Sequence, residues 1–599
     1  MKLPSLQTLW NGFRNVLVRF PIQSIIILLA VGLWLATTYA PQGTDQEWIE
    51  KVIILCNLAF TLSLSANLFC ESRNWPRLRS LIVQLAALLP AAILFAFLEP
   101  FQFTTDSIRL TLSLLAGHLL VSFSIWSTRL PVIPFWHFNK ALFLRFLTGV
   151  LFSMILYAGI SVALLSIQTL FDYRFNGDIF FRLFILVSVG FNSIFFLSGI
   201  PRLSSGDTRT PHLETNYPKI LKIFTQYVLI PLLTIYFGIL IVYELKIAFS
   251  FQLPKGTVSY LVLGYSGFGI LSYLLIYPLK DGEGNEWIKY FSKLFFWLMI
   301  PLLILLFIAI GVRVADYGLT EKRYLIIALA VWLSAISMYF SFSRSPRLEL
   351  IPISLFLVIA LSAVGPQSAT SLSRVSQQAR LGKLLGSTNT DSLIQKESIV
   401  RYLVDFHGLA SLQPFTERNL AEIRRNIQIE GSPVLTRWQR KQQVRDSAFH
   451  LLNIDVTDRY GRMIYVSSQQ KLISNDGFKF VYWLESPQNE EIKAESGTIR
   501  IISNESQLLV AFTGKDTLKF NLADLTSQMQ KRYNDPATKR RFTRQGESYN
   551  YSIPAQWLTL RDSNSRHSAE LHLQSFWFST SDTTQTGSMP SARGFLLIK

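Results

Sequence analysis

Residues 291–312 read FSKLFFWLMIPLLILLFIAIGV. No charged residue stands between Lys293 and Arg313. About 20 apolar residues are what a helix needs to cross the ~30 Å hydrocarbon core of a bilayer. In lipid a backbone must satisfy its amides internally, so such a run is read as a spanning helix. Working outward, ten further runs of this kind are found, at 21–40, 51–70, 81–98, 108–126, 143–167, 179–200, 221–246, 257–277, 323–342 and 350–365. The expectation is an α-helical polytopic membrane bundle of about eleven transmembrane helices within residues 21–366.

Positive charge in the short loops sets the orientation. With the N-terminus placed in the cytoplasm, the inside segments hold 18 Lys and Arg and the outside segments 9. An odd number of spans then puts the C-terminus outside, so the expected topology is N-in/C-out. Residues 1–20 carry Leu6, Leu9, Trp10, Phe13, Val16, Leu17 and Phe20 on one helical face, with Arg14 and Arg19 off it. That is the pattern of an interfacial amphipathic helix.

The charge density changes near Pro366. Residues 1–366 carry 27 Lys and Arg with 17 Asp and Glu, and the shorter stretch 367–599 carries 30 with 22. Over the whole 599 residues the net charge is +18, with a mean hydropathy of +0.31. The second part is expected to be a soluble α+β domain: a helical connecting region at 367–460, then a mostly antiparallel β domain at 461–599. Amphipathic helices are read at 368–386, 391–406 and 433–452. Short β-rich segments at 463–466, 478–484, 498–502, 508–512, 518–521, 548–552, 557–561, 569–579 and 595–598 are read as strands, with a helix at 522–533. The two cysteines, Cys56 and Cys70, lie in one apolar run. The C-terminal domain therefore has neither a disulfide framework nor a thiolate metal site. The seven histidines lack zinc-site spacing. No cofactor is expected.

Ionisable groups inside a bilayer are costly and usually functional. Here the middles of the runs hold no Asp, Glu, Lys or Arg, which argues against proton-driven antiport or ion pumping. The intramembrane polar candidates are His118 and Asn192. His118 is expected to be interior and to bond across helices. A short echo links Leu229-Ile230-Pro231-Leu232-Leu233 to Met299-Ile300-Pro301-Leu302-Leu303, and Ile351-Pro352 opens the last run similarly. Such prolines can break transporter helices.

The strongest candidate is the turn after the opening stretch, with Arg313, Asp316, Tyr317, Gly318, Thr320, Glu321, Arg323 and Tyr324. Gly318 suits a tight turn, Thr320 a helix cap, and Glu321 the positive end of the next helix. Arg313 and Arg323 are expected to pair with Asp316 and Glu321 as an ionic hairpin. Further along, Asp405-Phe406-His407-Gly408 reads as a helix end capped by glycine. Basic clusters at Arg424-Arg425, Arg437, Arg440-Lys441 and Lys539-Arg540-Arg541 with Arg544 suit anionic lipid or an acidic envelope polymer better than nucleic acid.

The turn Tyr317–Tyr324, with Arg313 before it and Trp332 after it, resembles a pattern in a family of bacterial polytopic membrane proteins of unknown function. The similarity extends over most of the membrane half, including 131–138 (PVIPFWHF), and to 402–408 (YLVDFHG). The resemblance implies a multi-pass protein of the bacterial inner membrane and a functional role for the hairpin. It carries over no catalytic or ligand residue.

No Walker loop, GxGxxG, GxSxG or kinase motif is present. The expected function is that of an envelope accessory or interaction protein with an external binding domain, its partners being the bilayer and anionic lipid or polymer. Two alternatives stand beside it. One is a transporter or flippase of a small or lipidic solute. The other is a membrane-embedded transferase on a lipid-linked substrate, using Asp316, Glu321 and the nearby arginines.

Overall fold

The computed structural model describes residues 6–40, 46–126, 131–173, 175–202, 217, 219–250, 257–279, 286–386, 390–423, 437–452, 454, 463–468, 478–484, 490–494, 497–503, 507–512, 516–544, 550–579 and 593–599. The chain forms two compact units. One comprises Met1–Lys383 with Asp405–Ser411, the other Leu384–Val404 with Leu412–Lys599.

The first unit is helical. Its elements are α1 (Leu6–Arg19), α2 (Pro21–Thr37), α3 (Glu47–Ser72), α4 (Arg77–Ala86), α5 (Leu89–Phe97), α6 (Thr104–Phe123), α7 (Val132–Phe171), α8 (Asp178–Ile185), α9 (Asn192–Ser198), α10 (Lys219–Phe224), α11 (Ile230–Ser250), α12 (Thr257–Ile276), α13 (Glu286–Tyr317), α14 (Glu321–Phe342), α15 (Leu350–Ala363) and α16 (Ala369–Leu385). Helix α17 (Thr390–His407) ends in the 405–411 segment of this unit.

Among the described residues, eight stretches are long and apolar enough to cross a membrane: Glu47–Ser72, Arg77–Phe97, Val132–Phe171, Asp178–Ser198, Leu221–Ile247, Val258–Leu279, Lys293–Tyr317 and Glu321–Phe342. A ninth exists if the pair Trp10–Arg19 and Pro21–Thr37, bent by 107°, is one span. The expected count of eleven is thus not reached. The two other expected runs are helices of a different character. Helix α15 has only 14 residues, and α6 carries Asp106, Arg109 and His118. They pack closely on each other.

Exposed and buried apolar faces are distinct. Phe295, Phe296, Leu302, Leu306, Leu333 and Phe340 form a core between α12, α13 and α14. Val16, Phe20, Leu64, Leu68, Phe138 and Leu197 form a second. Leu147, Leu151, Met154 and Val162 of α7 are exposed, an arrangement suited to hydrocarbon rather than water. Small residues let backbones approach: Gly117 faces Thr61, Gly149 faces Asn192 and Gly269 faces Phe295. A π-helical turn at Thr225–Leu229 immediately precedes Pro231. Proline lacks an amide hydrogen and clashes with the carbonyl four residues earlier, and a wider turn relieves this. Pro301, by contrast, sits inside a continuous α13, so the two halves of the sequence echo differ.

The amphipathic N-terminal helix occurs as α1. Val16 and Phe20 of its stripe are buried, whereas Trp10 is 64% exposed.

The second unit is α+β. Its strands are β1 (Met463–Ser468), β2 (Phe480–Leu484), β3 (Glu490–Ala494), β4 (Gly497–Ser503), β5 (Gln507–Phe512), β6 (Thr517–Asn521), β7 (Thr543–Arg544), β8 (Asn550–Ile553), β9 (Thr559–Ser563), β10 (Ser568–Ser579) and β11 (Arg593–Ile598). One sheet runs β2-β11-β10-β1-β8-β7, with β9 also on β10, and the other runs β3-β4-β5-β6. Every described pairing is antiparallel except β1 with β8. Alternation places Leu508 and Val510 of β5 and Leu518 and Phe520 of β6 in the core. Helix Leu522–Asn534 adds Leu525 and Met529 to that core, and the Asn521 side chain caps it by accepting from the Asp524 amide. Strands β3 and β7 have no counterpart in the sequence reading. Arg424, Arg425 and the start of the helix expected at 433–452 lie outside the described residues.

Candidate functional site

Helix α13 ends at Tyr317 and α14 begins at Glu321. Between them Gly318 has φ +70°, a conformation that disfavours any side chain. The last carbonyls of a helix lack intrahelical partners. Here α16 and α14 supply them. The Gln377 amide donates to the Tyr317 and Leu319 carbonyls at 3.0 Å each. Arg323 donates to the Tyr317 carbonyl at 3.1 Å and to that of Gly318 at 2.5 Å. Ser376 accepts from the Leu319 amide at 3.0 Å, and the Tyr324 hydroxyl donates to the Gln367 carbonyl at 2.8 Å.

These bonds differ from the ion pairs expected across the turn. Arg323 serves backbone carbonyls, and Glu321 turns inward instead of across the turn. Glu321 is 1% exposed and accepts from the Ser373 hydroxyl at 2.8 Å. His407 Nε2 lies 3.1 Å from the same carboxylate oxygen, with its side chain 6% exposed. Thr320 precedes α14 but its side chain makes no capping bond. Asp316 is exposed and Arg313 half-buried. Gly408, at φ +78°, ends α17 as expected and packs on Phe103.

Further bonds tie this end together. Asp106 accepts from the Glu99 amide at 2.9 Å and pairs with Arg109 at 3.2 Å, and Arg109 donates to Thr370 at 3.1 Å. Thr105 donates to the Phe406 carbonyl at 2.7 Å, and Gln378 to the Ser411 carbonyl at 2.6 Å. The arrangement is a clasp. Both Ser373 and His407 address one carboxylate, whereas an activated serine needs the imidazole between hydroxyl and acid.

The two intramembrane candidates separate. His118 is exposed and its Nδ1 lies 2.8 Å from the Leu114 carbonyl of its own helix, in place of the expected bond across helices. Asn192 follows the π-helical turn Leu186–Phe191 and stands against Gly149, its Oδ1 buried without a hydrogen-bond partner. The sequence reading missed a polar chain at the α1–α2 bend. Gln23 donates to Gln84 at 3.2 Å, Gln84 to Asn67 at 3.3 Å, and Asn67 to the Arg19 carbonyl at 3.1 Å. Arg19 pairs bidentately with Glu71 and donates to the Ile200 and Pro201 carbonyls. No local signal in the sequence links these positions.

Also unforeseen is an apolar cavity of about 500 Å³ between α6, α7, α12, α14 and α15. Its walls include Leu119, Phe143, Leu263, Ile270, Leu333 and Leu355. Trp136 of α7 closes one side by donating to the Leu274 carbonyl at 2.6 Å and stacking on Tyr217. The Tyr217 hydroxyl donates to the Leu275 carbonyl at 2.8 Å, and burial pushes that phenol above its ordinary range. Lys140 stands one helical turn beyond Trp136 and also lines the cavity.

Residues 24–414 match the family described as a domain of unknown function (DUF4153). The turn, Lys140 and His407 all fall inside that range. A 251-residue stretch is 26% identical to an uncharacterised protein, PM1469, of Pasteurella multocida (strain Pm70), and covers 41% of each chain. The match thus spans less than half the length of that relative. No solved structure matches this chain.

Proposed function

The chain belongs to the DUF4153 family, and we propose that it is a multi-pass protein of the bacterial inner membrane that binds a lipidic or otherwise apolar solute between its helices, as a transporter or flippase would. The observation that carries this reading is the cavity. Its volume of about 500 Å³ lies within the ~300–1,000 Å³ of ordinary ligand sites. The π-helical turns before Asn192 and Pro231 are places where α8–α9 and α10–α11 can bend. The accessory reading, in which only the C-terminal domain binds, leaves the cavity without a use.

In this reading the C-terminal domain is extracytoplasmic. The loop charges favour an N-in start. Nine spans, with the bent pair Trp10–Arg19 and Pro21–Thr37 counted as one, and eleven are both odd; if that pair turns back, the count is eight or ten and the C-terminus lies inside.

The test uses the full-length protein in neutral detergent and a fluorescent long-chain alkyl probe. Saturable binding is expected. A Cβ at Gly267 meets nothing within 4 Å, so Gly267→Phe fills the cavity without a backbone clash. That variant should keep its fold and lose the probe. Unsaturable binding, or binding untouched by Gly267→Phe, overturns the reading.

A further inference from the structure

We infer that the Lys531–Arg541 ridge of the second unit is a docking surface for the anionic head groups of a phospholipid membrane. The stretch reads KRYNDPATKRR, five cations and one carboxylate in eleven residues. Leu525, Met529 and Tyr533 recur at four-residue spacing on helix Leu522–Asn534 and enter the core. Lys531, two residues past Met529, is thereby carried to the solvent side. Asp535 then ends the helix and caps the short helix Pro536–Lys539 by accepting from the Ala537 amide at 3.0 Å. The Thr538 hydroxyl donates back to the Arg532 carbonyl at 2.7 Å, which folds the second basic run against the first.

Aromatic rings hold the two runs together. The Arg532 guanidinium lies 4.7 Å from the centre of the Trp557 ring, and the Lys539 ammonium 4.7 Å from that of Tyr533. Phe542 joins the two rings, 5.4 Å from Tyr533 and 5.6 Å from Trp557. Both cations thus stand on one aromatic cluster.

Charge is unbalanced along this ridge. Elsewhere in the domain Arg561 meets Glu570 at 2.8 Å and Arg566 lies 3.8 Å from Asp516. Lys531, Lys539, Arg540 and Arg541 are all exposed and, among the described residues, form no ion pair. Asp535, the carboxylate of the run, is occupied by the Ala537 amide and by the Thr538 hydroxyl at 3.1 Å. The run therefore keeps a net charge of +4. Like charges held this close repel, and a face of fixed negative charge relieves the repulsion. A membrane suits the ridge better than a soluble polyanion does. The chain tethers the domain to a polytopic half, so a lipid surface is present at high effective concentration, whereas a polymer must be captured from solution. Each Lys or Arg beside an anionic bilayer strengthens adsorption about fivefold. The half-buried Trp557 is of the residue type that the head-group region accommodates.

The test places full-length protein in bilayer discs of phosphatidylcholine, with and without phosphatidylglycerol, and in neutral discs with added polyphosphate. Lysines are labelled with a water-soluble acylating reagent and read by mass spectrometry. Labelling of Lys531 and Lys539 is expected to fall about fivefold in the phosphatidylglycerol discs. Lys519 and Lys599, exposed elsewhere in the domain, should keep their rates. The double variant Arg540→Gln with Arg541→Gln retains both reporter lysines and should restore their labelling with an unchanged melting temperature. High salt should restore it in the unaltered protein, with no change of sequence. Equal labelling in neutral and anionic discs, or protection that survives salt or the double variant, overturns the inference. Protection spread equally to Lys519 and Lys599 is adsorption of the whole domain and overturns it too. Protection by polyphosphate with none from phosphatidylglycerol assigns the ridge to a soluble polyanion and overturns the lipid partner.

Discussion

The Glu321 carboxylate and the His407 imidazole lie 3.1 Å apart, although the chain between them runs through α14, α15, α16 and α17. Both side chains are buried, and Ser373 adds its hydroxyl to the same oxygen. Removing one partner takes a buried polar contact away, a loss of roughly 1–3 kcal/mol. Glu321→Gln and His407→Ala are each expected to lower the melting temperature of the purified full-length protein markedly. The double variant should lose clearly less than the two single losses combined, because the residues share one interaction. Additive losses would show that the two are not coupled.

Gly318 and Gly311 offer a matched comparison within one segment. Gly318 has positive φ, and a Cβ there would press on the Gln377 amide at 2.8 Å. Gly318→Ala is expected to cost about 1–2 kcal/mol. Gly311 lies inside α13 with open space around it. Gly311→Ala should be neutral or stabilise by about 0.5–1 kcal/mol. Thermal melts of the two variants check the sign.

Arg19 joins Glu71 through both carboxylate oxygens and also reaches two carbonyls. Lysine lacks the planar fork this geometry uses. Arg19→Lys should therefore destabilise by about 1–3 kcal/mol despite keeping the charge. The 107° bend beside it should loosen, seen as faster proteolysis near residue 20. Unchanged proteolysis and melting would remove Arg19 from the list of bend-holding residues.

The side of the membrane on which Lys599 lies follows from helix parity. A reporter active only outside the cytoplasm, fused after Lys599, is expected to work, and one fluorescent only inside is expected to stay dark. The opposite result would mean an even number of spans. It would place the C-terminal domain in the cytoplasm.

Much of the fold is legible in local pattern. The apolar runs locate the helices because a bilayer rewards continuous hydrophobic length and requires every amide to be bonded within the segment. Alternation at Leu508 and Val510 and at Leu518 and Phe520 reveals β5 and β6 because one face of each strand is buried. Gly408 as a helix end is equally local. The number of spans is less accessible. Asp106 and Arg109 look expensive in a membrane helix until their pairing with each other and with Thr370 is seen.

What the sequence by itself determined is the class: a polytopic helical membrane half followed by a smaller α+β domain, because hydrophobic length and periodicity are properties of adjacent residues. What only the tertiary structure decided is the pairing. The sequence singles out Glu321 and His407 separately, but their meeting depends on how α14, α16 and the 405–411 segment pack. The cavity beside Lys140 arises in the same way, since a void is a property of several helices together and belongs to no one of them.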